Sequence, residues 1–184
     1  CALNSLANKK LNELKQFKNI FIPYAPGDGG GSIGAAIYIQ KKMEKNKDIS
    51  NLKSPFIGPE YSNSEINKTI STFDELKNFD IKFFENKNEQ LSLIAKNLYE
   101  NKIIGNFNGR MEFGARALGN RSILANPCDP KIKDIINAKI KRRESFRPFA
   151  PAILYEKKLD WFKNNNQTPY MSSVESIKIE KQNS

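Results

Sequence analysis

The sequence contains no histidine, only two cysteines and no long apolar run. Without histidine, any imidazole ligand or general base must come from outside this sequence. Cys1 and Cys128 form neither a C-x-x-C pair nor a metal-ligand spacing, which disfavours a zinc or redox role. No stretch is apolar enough for a transmembrane helix, and none has the order of regions found in a signal peptide. We therefore expect a cytoplasmic protein that does not act at a membrane.

Arginine is also missing from most of the chain. All six arginines lie between residues 109 and 151, whereas lysine carries the positive charge elsewhere. A guanidinium grips phosphate or carboxylate oxygens two at a time, which an ammonium does not. The alternative is a locally basic, solvated face with some ion pairs. The arginines are Arg110, Arg116, Arg121, Arg142, Arg143 and Arg147.

The residues around the arginines favour a ligand site over a solvated face. Glycines recur every five residues at 109, 114 and 119, which lets backbone approach a ligand closely. Asn120 and Ser122 add short polar groups that can bond phosphate oxygens. The run FRPFAP holds Arg147 between aromatic residues and prolines, a rigid setting for its side chain.

The formal net charge of +10 raises the question of nucleic acid. The lysines are spread along the whole chain, and no helix carries a continuous basic stripe. A small anionic ligand explains the arginine window at least as well. With 184 residues, 39% of them hydrophobic, the chain can form one domain, or one domain plus a piece of another.

Periodicity and turn residues predict a chain that alternates helices and strands, of the α/β (α+β) class. In the helix after Asp129, its candidate N-cap, Asn137 and Lys141 are expected to share one face, and isoleucines to supply the buried side. The polar end beyond residue 174 is expected to be disordered or cut. Helices are predicted at 2–16, 33–45, 62–73, 89–101, 130–143 and 156–162, and strands at 19–24, 56–62, 80–85, 103–107, 122–125, 152–154 and 170–174.

A glycine-rich loop, APGDGGGS at 25–32, stands between the first predicted strand and helix. This geometry offers backbone N–H groups and a helix dipole to a phosphate. Asp28 is better suited to a cation on that phosphate. The alternative is an ordinary strand-to-helix turn, since glycine loops alone are weak signals.

The run GRMEFGARALGNRSILANPCDPKIKDIINAKIKRRESFRPFAPAIL closely resembles the C-terminal signature of the O-carbamoyltransferase family. That family includes the nodulation-factor, cephamycin and tobramycin carbamoyltransferases. The runs ALNSLANKKL and FIPYAPGDGGGSIGAAIYI are similar to the end of the family's preceding domain, so the resemblance covers residues 2–171. The chain departs from the family at Ala115 and Ser145, where proline is usual, and at Gly29, where a second acidic residue is usual.

The resemblance implies two parts. Residues 1–45 would be the C-terminal remnant of an actin-like ATPase (Kae1-like) domain, 46–54 a linker, and 55–184 a truncated YrdC-like domain. The YrdC-like part would be a twisted mixed sheet with flanking helices. We expect this piece alone to be catalytically inactive.

The resemblance also implies a reaction. ATP, with Mg²⁺, and carbamoyl phosphate would give carbamoyl adenylate, and the carbamoyl group would pass to a hydroxyl of a sugar or natural-product acceptor. Fe²⁺ or another divalent metal would sit in the first domain, with Asp28 as one ligand. Carried over by motif, the catalytic residues would be Arg116, Lys141 and Arg147, and the substrate- or nucleotide-binding residues Arg110, Asn120, Arg121, Ser122 and Asn137.

Two alternatives stay open. One is a basic, RNA-binding YrdC-like module without carbamoylation activity, whose binding should weaken steeply with salt. The other is a degenerate, structural copy of the domain, against which the intact Arg116, Lys141 and Arg147 argue.

Overall fold

A computed structural model describes residues 1–45, 54–164 and 168–182. The predicted linker at 46–54 therefore lies almost wholly outside the described residues. Six α-helices and one two-stranded sheet follow each other along the described chain, and short 3₁₀ turns lie at Asp74–Asn78, Tyr155–Lys157 and Ile179–Lys181. The helices are α1 (Ser5–Glu13), α2 (Asp28–Met43), α3 (Asn63–Thr72), α4 (Lys87–Tyr99), α5 (Ile132–Ile135) and α6 (Lys158–Trp161); the strands are β1 (Ile104–Phe107) and β2 (Arg121–Leu124).

Local capping signals explain why three of the helices begin where they do. The Asn4 side chain accepts a hydrogen bond from the N–H of Ala7 at 3.0 Å and so caps α1. Ser62 and Glu65 form a reciprocal capping box at the start of α3. The N-cap of α4 is Asn86, whose side chain accepts from the second helical N–H.

The sheet is a hairpin whose two short strands are far apart in sequence. β1 and β2 pair antiparallel, with Ile104 opposite Leu124 and Phe107 opposite Arg121. Residues 108–120 connect them, and we call this connection the arginine loop. Helix α4 runs directly into β1, so the loop projects from one end of a helix–hairpin unit.

Several predicted strands are wrong. Residues 19–24, 56–62, 80–85, 152–154 and 170–174 form no strand in the part of the chain that the structure describes. A strand needs a partner for its backbone groups along its whole length, and of these segments 56–62 has only two such bonds, between Gly58 or Pro59 and Met111, among the described residues. Prolines at 23, 55 and 59 also remove backbone donors.

Among the helix boundaries that differ from the prediction, two lie near the residues predicted to bind ligands. Helix α2 begins at Asp28, so the glycines at 29–31 form its first turn instead of a loop. After Asp129, the chain first makes a turn in which the Asp129 side chain accepts from the N–H of Lys131 at 2.9 Å. Helix α5 then starts, and from Ile136 to Lys141 it widens into a π-helix.

The end of the chain up to residue 182 is ordered, contrary to the prediction. Phe162 and Ile177 form an isolated antiparallel bridge. The N–H of Lys163 donates to Ser176 at 3.0 Å, and that of Lys178 donates to Trp161 at 2.8 Å. These backbone bonds hold the segment against α6.

Three of the seven buried residues in the described ranges are polar. Tyr24, Ala25, Pro55 and Ile136 are the buried apolar residues, and Asn8, Glu112 and Asn137 are the buried polar ones. Many large apolar side chains stay exposed, such as Phe21 and Tyr99 at 85% each. Hydrogen bonding to buried polar groups therefore fixes much of the local geometry here.

Asn8 and Tyr24 both join the first 30 residues to the C-terminal segment. The buried Asn8 amide donates to the carbonyls of Ala2 at 2.8 Å and Ser172 at 2.7 Å. The rings of Tyr24 and Tyr170 meet edge to face, with centroids 5.7 Å apart. These contacts place α1 beside the C-terminal segment.

The mixture of helices with a small antiparallel sheet confirms the α+β class. The YrdC-like sheet, the actin-like remnant and the division at residues 46–54 stay predictions. No helix in the described ranges is both long and apolar enough to cross a membrane.

Candidate anion-binding site

Side chains and backbone close the arginine loop at its base. The N–H of Asn108 donates to the carbonyl of Asn120 at 2.9 Å, and the Asn120 amide donates to the carbonyl of Arg110 at 2.7 Å. The Ser122 hydroxyl accepts from the N–H of Gly119 at 3.0 Å. Asn120 and Ser122, which the sequence predicted as ligand contacts, therefore hold the loop in this structure; their role toward a ligand stays a prediction.

An extended segment braces the first half of the loop. The N–H groups of Met111 and Phe113 donate to Pro59 at 3.0 Å and Pro55 at 2.7 Å, and the N–H of Gly58 donates back to Met111 at 2.9 Å. These three bonds fix the backbone on either side of Glu112. The Arg110 side chain stays exposed. Within the described residues its one hydrogen-bond contact is long, 3.5 Å from Nη2 to the carbonyl of Ile57.

Glu112 lies inside the loop with its side chain only 2% exposed. Its Oε1 accepts from three backbone N–H groups: Leu118 at 2.7 Å, Asn120 at 2.9 Å and Arg121 at 3.2 Å. Burial acts to raise the pKa of this carboxyl, but the backbone N–H groups outweigh it, and the pKa lies below its ordinary value. Glu112 is therefore an ionised, buried carboxylate that organises the loop.

Arg116 links the arginine loop to the N-terminal segment. Its Nη2 donates to the carbonyl of Leu3, 113 residues earlier, at 3.3 Å. Its Nε is buried and has no hydrogen-bond partner within the described residues. A buried donor without an acceptor costs about 1–3 kcal/mol, so this nitrogen suits an acceptor atom supplied by a ligand.

A cavity of about 220 Å³ opens beside Arg116. Two of its lining side chains are guanidinium groups and one is the Glu112 carboxylate. Its volume is below the roughly 300–1,000 Å³ of pockets for drug-sized ligands, so it suits a small anion better than a whole nucleotide. The lining residues are Glu112, Gly114, Ala115, Arg116, Ala117 and Arg121.

Gly114 joins the arginine loop to the N-terminal segment. Its φ of +129° lies in the region that favours glycine, and a Cβ built there would be 2.6 Å from the Tyr24 carbonyl oxygen. Gly29, in the first turn of α2, lies beside the ring of Phe113, and a Cβ built on Gly29 would make an ordinary contact with Cε1 at 3.8 Å. The beginning of α2 therefore sits next to the arginine loop.

Asp28 opens α2 as an exposed carboxylate. No group of three or more histidine, cysteine, aspartate or glutamate side chains that could hold a metal exists within residues 1–45, 54–164 and 168–182. A divalent cation needs several ligands, so the residues present do not fit a metal by themselves. The role of Asp28 as one ligand among others stays a prediction.

A second cluster forms where the π-helix ends. Asn137 is fully buried, and its amide nitrogen donates to the carbonyls of Arg147 at 2.9 Å and Ser145 at 3.3 Å. Its Oδ1 accepts from Nε of Arg143 at 2.8 Å. Arg142, at the end of the helix, has a φ of 48°, and this left-handed turn brings the chain back over Asn137.

Arg147 and Lys141 project from this second cluster toward solvent. Arg147 makes an exposed ion pair with Glu144, Nε to Oε2 at 3.0 Å. Among the described residues, Lys141 has no hydrogen-bond or ion-pair partner. Asn137 and Lys141 do not share an environment, since the first is buried and the second exposed. The structure thus gives Asn137 a positioning contact to the Arg147 backbone, and its ligand role stays a prediction.

The sequence-predicted residues therefore fall into two groups. Within the described residues, no hydrogen bond or ion pair joins the arginine loop to the turn after the π-helix. Sequence reasoning missed Glu112 and Arg143. The sequence signal for Glu112 was a lone acidic residue in an arginine- and glycine-rich stretch. The sequence signal for Arg143 was its spacing from Phe149. In the structure the Arg143 guanidinium lies over the Phe149 ring, 4.8 Å from its centroid.

Comparison with known proteins matches both ends of the chain to one family. Residues 95–184 match the family model described as carbamoyltransferase C-terminus, and residues 1–37 match the one described as carbamoyltransferase N-terminus. Together the two matches span more than half of the chain.

Curated relatives match along nearly the whole chain. An uncharacterized protein of Synechocystis sp. is 38% identical over 97% of this chain and 29% of its own length. Nodulation protein NolO of Bradyrhizobium diazoefficiens is 35% identical over 99% of this chain and 33% of its own length. Nodulation protein NolNO of Sinorhizobium fredii is 33% identical over 99% of this chain and 27% of its own length. The chain thus spans a third or less of these relatives.

Proposed function

Because the chain belongs to the carbamoyltransferase family, we propose that the protein takes part in carbamoyl transfer to a hydroxyl group, an O-carbamoyltransferase reaction. The acceptor in this proposal is a hydroxyl of a sugar or of a natural-product scaffold, the two classes that the family resemblance implies. The same proposal places the reaction in the cytoplasm.

The proposed first step forms carbamoyl adenylate. Carbamoyl phosphate loses its phosphate to water and gives carbamate, whose oxygen attacks the α-phosphorus of ATP while pyrophosphate leaves. In the second step the acceptor hydroxyl attacks the carbamoyl carbon, and AMP leaves. ATP would enter as its Mg²⁺ complex.

The protein's part in the first step is to bring polyanions together. Fixed cations must neutralise the repulsion between the phosphates and hold the reacting atoms in place. Arg116 and Arg121 would bind the phosphate of carbamoyl phosphate in the small cavity. Lys141 and Arg147, both exposed, would approach the larger nucleotide from the second cluster, and Arg110 is exposed at the edge of the loop.

One observation carries this proposal. The buried Nε of Arg116 lacks an acceptor and lies beside a small cavity that a second arginine also lines. A purely structural arginine would have its buried donors satisfied. A phosphate oxygen would accept a hydrogen bond from this nitrogen and so satisfy the buried donor, through a short, charge-assisted bond.

The test is pyrophosphate release by the full-length protein that contains this chain, given ATP and Mg²⁺ with and without carbamoyl phosphate. We expect release that depends on carbamoyl phosphate and falls about 10²–10³-fold in Arg116→Ala, the loss typical of one electrostatic donor. Arg147→Ala should abolish the pyrophosphate release.

Lys96→Ala is the matched control, because it removes one positive charge from an exposed position of α4. Its release should equal that of the original protein. Equal losses in Arg116→Ala and Lys96→Ala would mean that only the overall positive charge matters. If the folded protein releases no pyrophosphate but binds RNA with a steep salt dependence, the RNA-binding alternative replaces carbamoyl transfer.

A further inference from the structure

Glu112 occupies a place where proteins commonly bind free anions. Three backbone N–H groups converge on its Oε1 within 3.2 Å. Such convergent amides form a concavity that attracts phosphate or carboxylate. Here the protein's own carboxylate fills the concavity, so those amides are not available to a substrate.

The three bonds also determine where the two cavity-lining arginines stand. The bond from Leu118 closes a short loop between residues 112 and 118 that carries Arg116 near its middle. The bond from the N–H of Arg121 fixes the first residue of β2, and Nε of the same arginine lies 4.0 Å from Oε2 of Glu112. One carboxylate thus holds the backbone of one arginine and both ends of the loop that bears the other.

We propose that Glu112 is a positioning residue, which acts as an internal anion that sets the arginine loop so that Arg116 and Arg121 can bind the substrate phosphate. Glu112 itself does not touch the substrate in this arrangement. The effect on turnover rests on the proposed function, whereas the closing of the loop does not. The two parts therefore need separate measurements.

The first measurement is amide hydrogen exchange of the protein, with no substrate present. Glu112→Ala should raise the exchange rates at Leu118, Asn120 and Arg121 at least tenfold and leave those of α4 unchanged. Formate, the smallest carboxylate, should restore slow exchange in this variant at a concentration where equal ionic strength of chloride does not.

A second variant keeps the test decisive if Glu112→Ala fails to fold. Glu112→Gln retains the size of the side chain and one acceptor oxygen but loses the charge, and charge-assisted hydrogen bonds are roughly twice as strong as neutral ones. We expect a rise of about threefold or more in exchange at the same three amides. Glu60→Gln makes the same chemical change at an exposed position and should change none of them.

The second measurement is kinetic. Glu112→Gln should raise the KM for carbamoyl phosphate about tenfold with the KM for ATP unchanged. In Glu112→Ala, where the KM for carbamoyl phosphate should also be raised, added formate should lower it. Exchange rates that stay the same in both Glu112 variants would overturn the proposal, and so would a KM for carbamoyl phosphate that stays the same while exchange rises. A protein without any turnover would instead contradict the proposed function, and the exchange experiment would still decide whether Glu112 sets the loop.

Discussion

Replacing Asn137 with alanine should be among the most damaging single changes in this chain. The side chain is fully buried and makes three hydrogen bonds, to Arg147 O, Ser145 O and Arg143 Nε. A neutral hydrogen bond contributes about 0.5–1.5 kcal/mol and one to a charged group about 1.5–3 kcal/mol. The bond to Ser145 is long, and residues 145 and 147 are exposed, so water can reach part of the freed groups. We therefore expect a loss of about 3 kcal/mol in the free energy of unfolding.

Urea unfolding of the purified protein, followed by circular dichroism, measures this loss. With a slope of about 2 kcal/mol per molar urea, typical of small proteins, the midpoint should fall by roughly 1.5 M. Asn88→Ala is the control, because Asn88 is an exposed residue in the first turn of α4 and should change stability by less than about 0.5 kcal/mol. A midpoint in Asn137→Ala no lower than that in Asn88→Ala would refute the view that the buried amide holds the turn around Arg147.

Two further predictions concern glycine and pH. Gly114→Ala should lower the melting temperature, since its φ of +129° and the 2.6 Å approach to the Tyr24 carbonyl leave no room for a Cβ. Gly34→Ala should raise the melting temperature, because nothing lies within 4 Å of a Cβ there and alanine favours a helix by about 0.5–1 kcal/mol. Melting scans of both variants would contradict these expectations if the two changes had the same sign. The lowered pKa of Glu112 means that its ionised form stabilises the fold fully above the ordinary carboxyl value of 4.5 and progressively less as pH falls through its lower folded-state pKa. Stability measured between pH 6 and pH 3 should therefore fall less steeply in Glu112→Gln, and an equal slope in both proteins would count against an ionised Glu112.

Elements with local signals could be predicted from the sequence, and those that depend on distant partners could not. Helix α3 follows from its capping box, and β1 follows from its apolar run between α4 and the loop. The run at 80–85 has the same apolar character as β1, yet it has no partner in the described chain and stays irregular. Strand propensity describes a residue's fit to a sheet, and the sheet itself is a non-local fact.

The site shows the same division. The arginines were predictable as a group because no other part of the chain contains arginine. The role of Glu112 was not, since its three donors lie six to nine residues later, two in the irregular loop and one at the first residue of β2. For Asn137, an ordinary helical spacing placed its side chain on the same face as Lys141. The π-helical turn changes that spacing and sends one residue inward and the other to solvent.

The self-filled concavity at Glu112 separates the shape of the loop from its choice of ligand. The backbone amides donate their hydrogen bonds to a residue of the same chain, so the path of the loop does not depend on what enters the cavity. Ligand preference then rests with side chains such as Arg116 and the small Ala115 and Ala117 at the cavity wall. An engineer could exchange those wall residues to admit a bulkier acyl phosphate without rebuilding the turn that supports them. Scaffold and selectivity would then be adjustable one at a time.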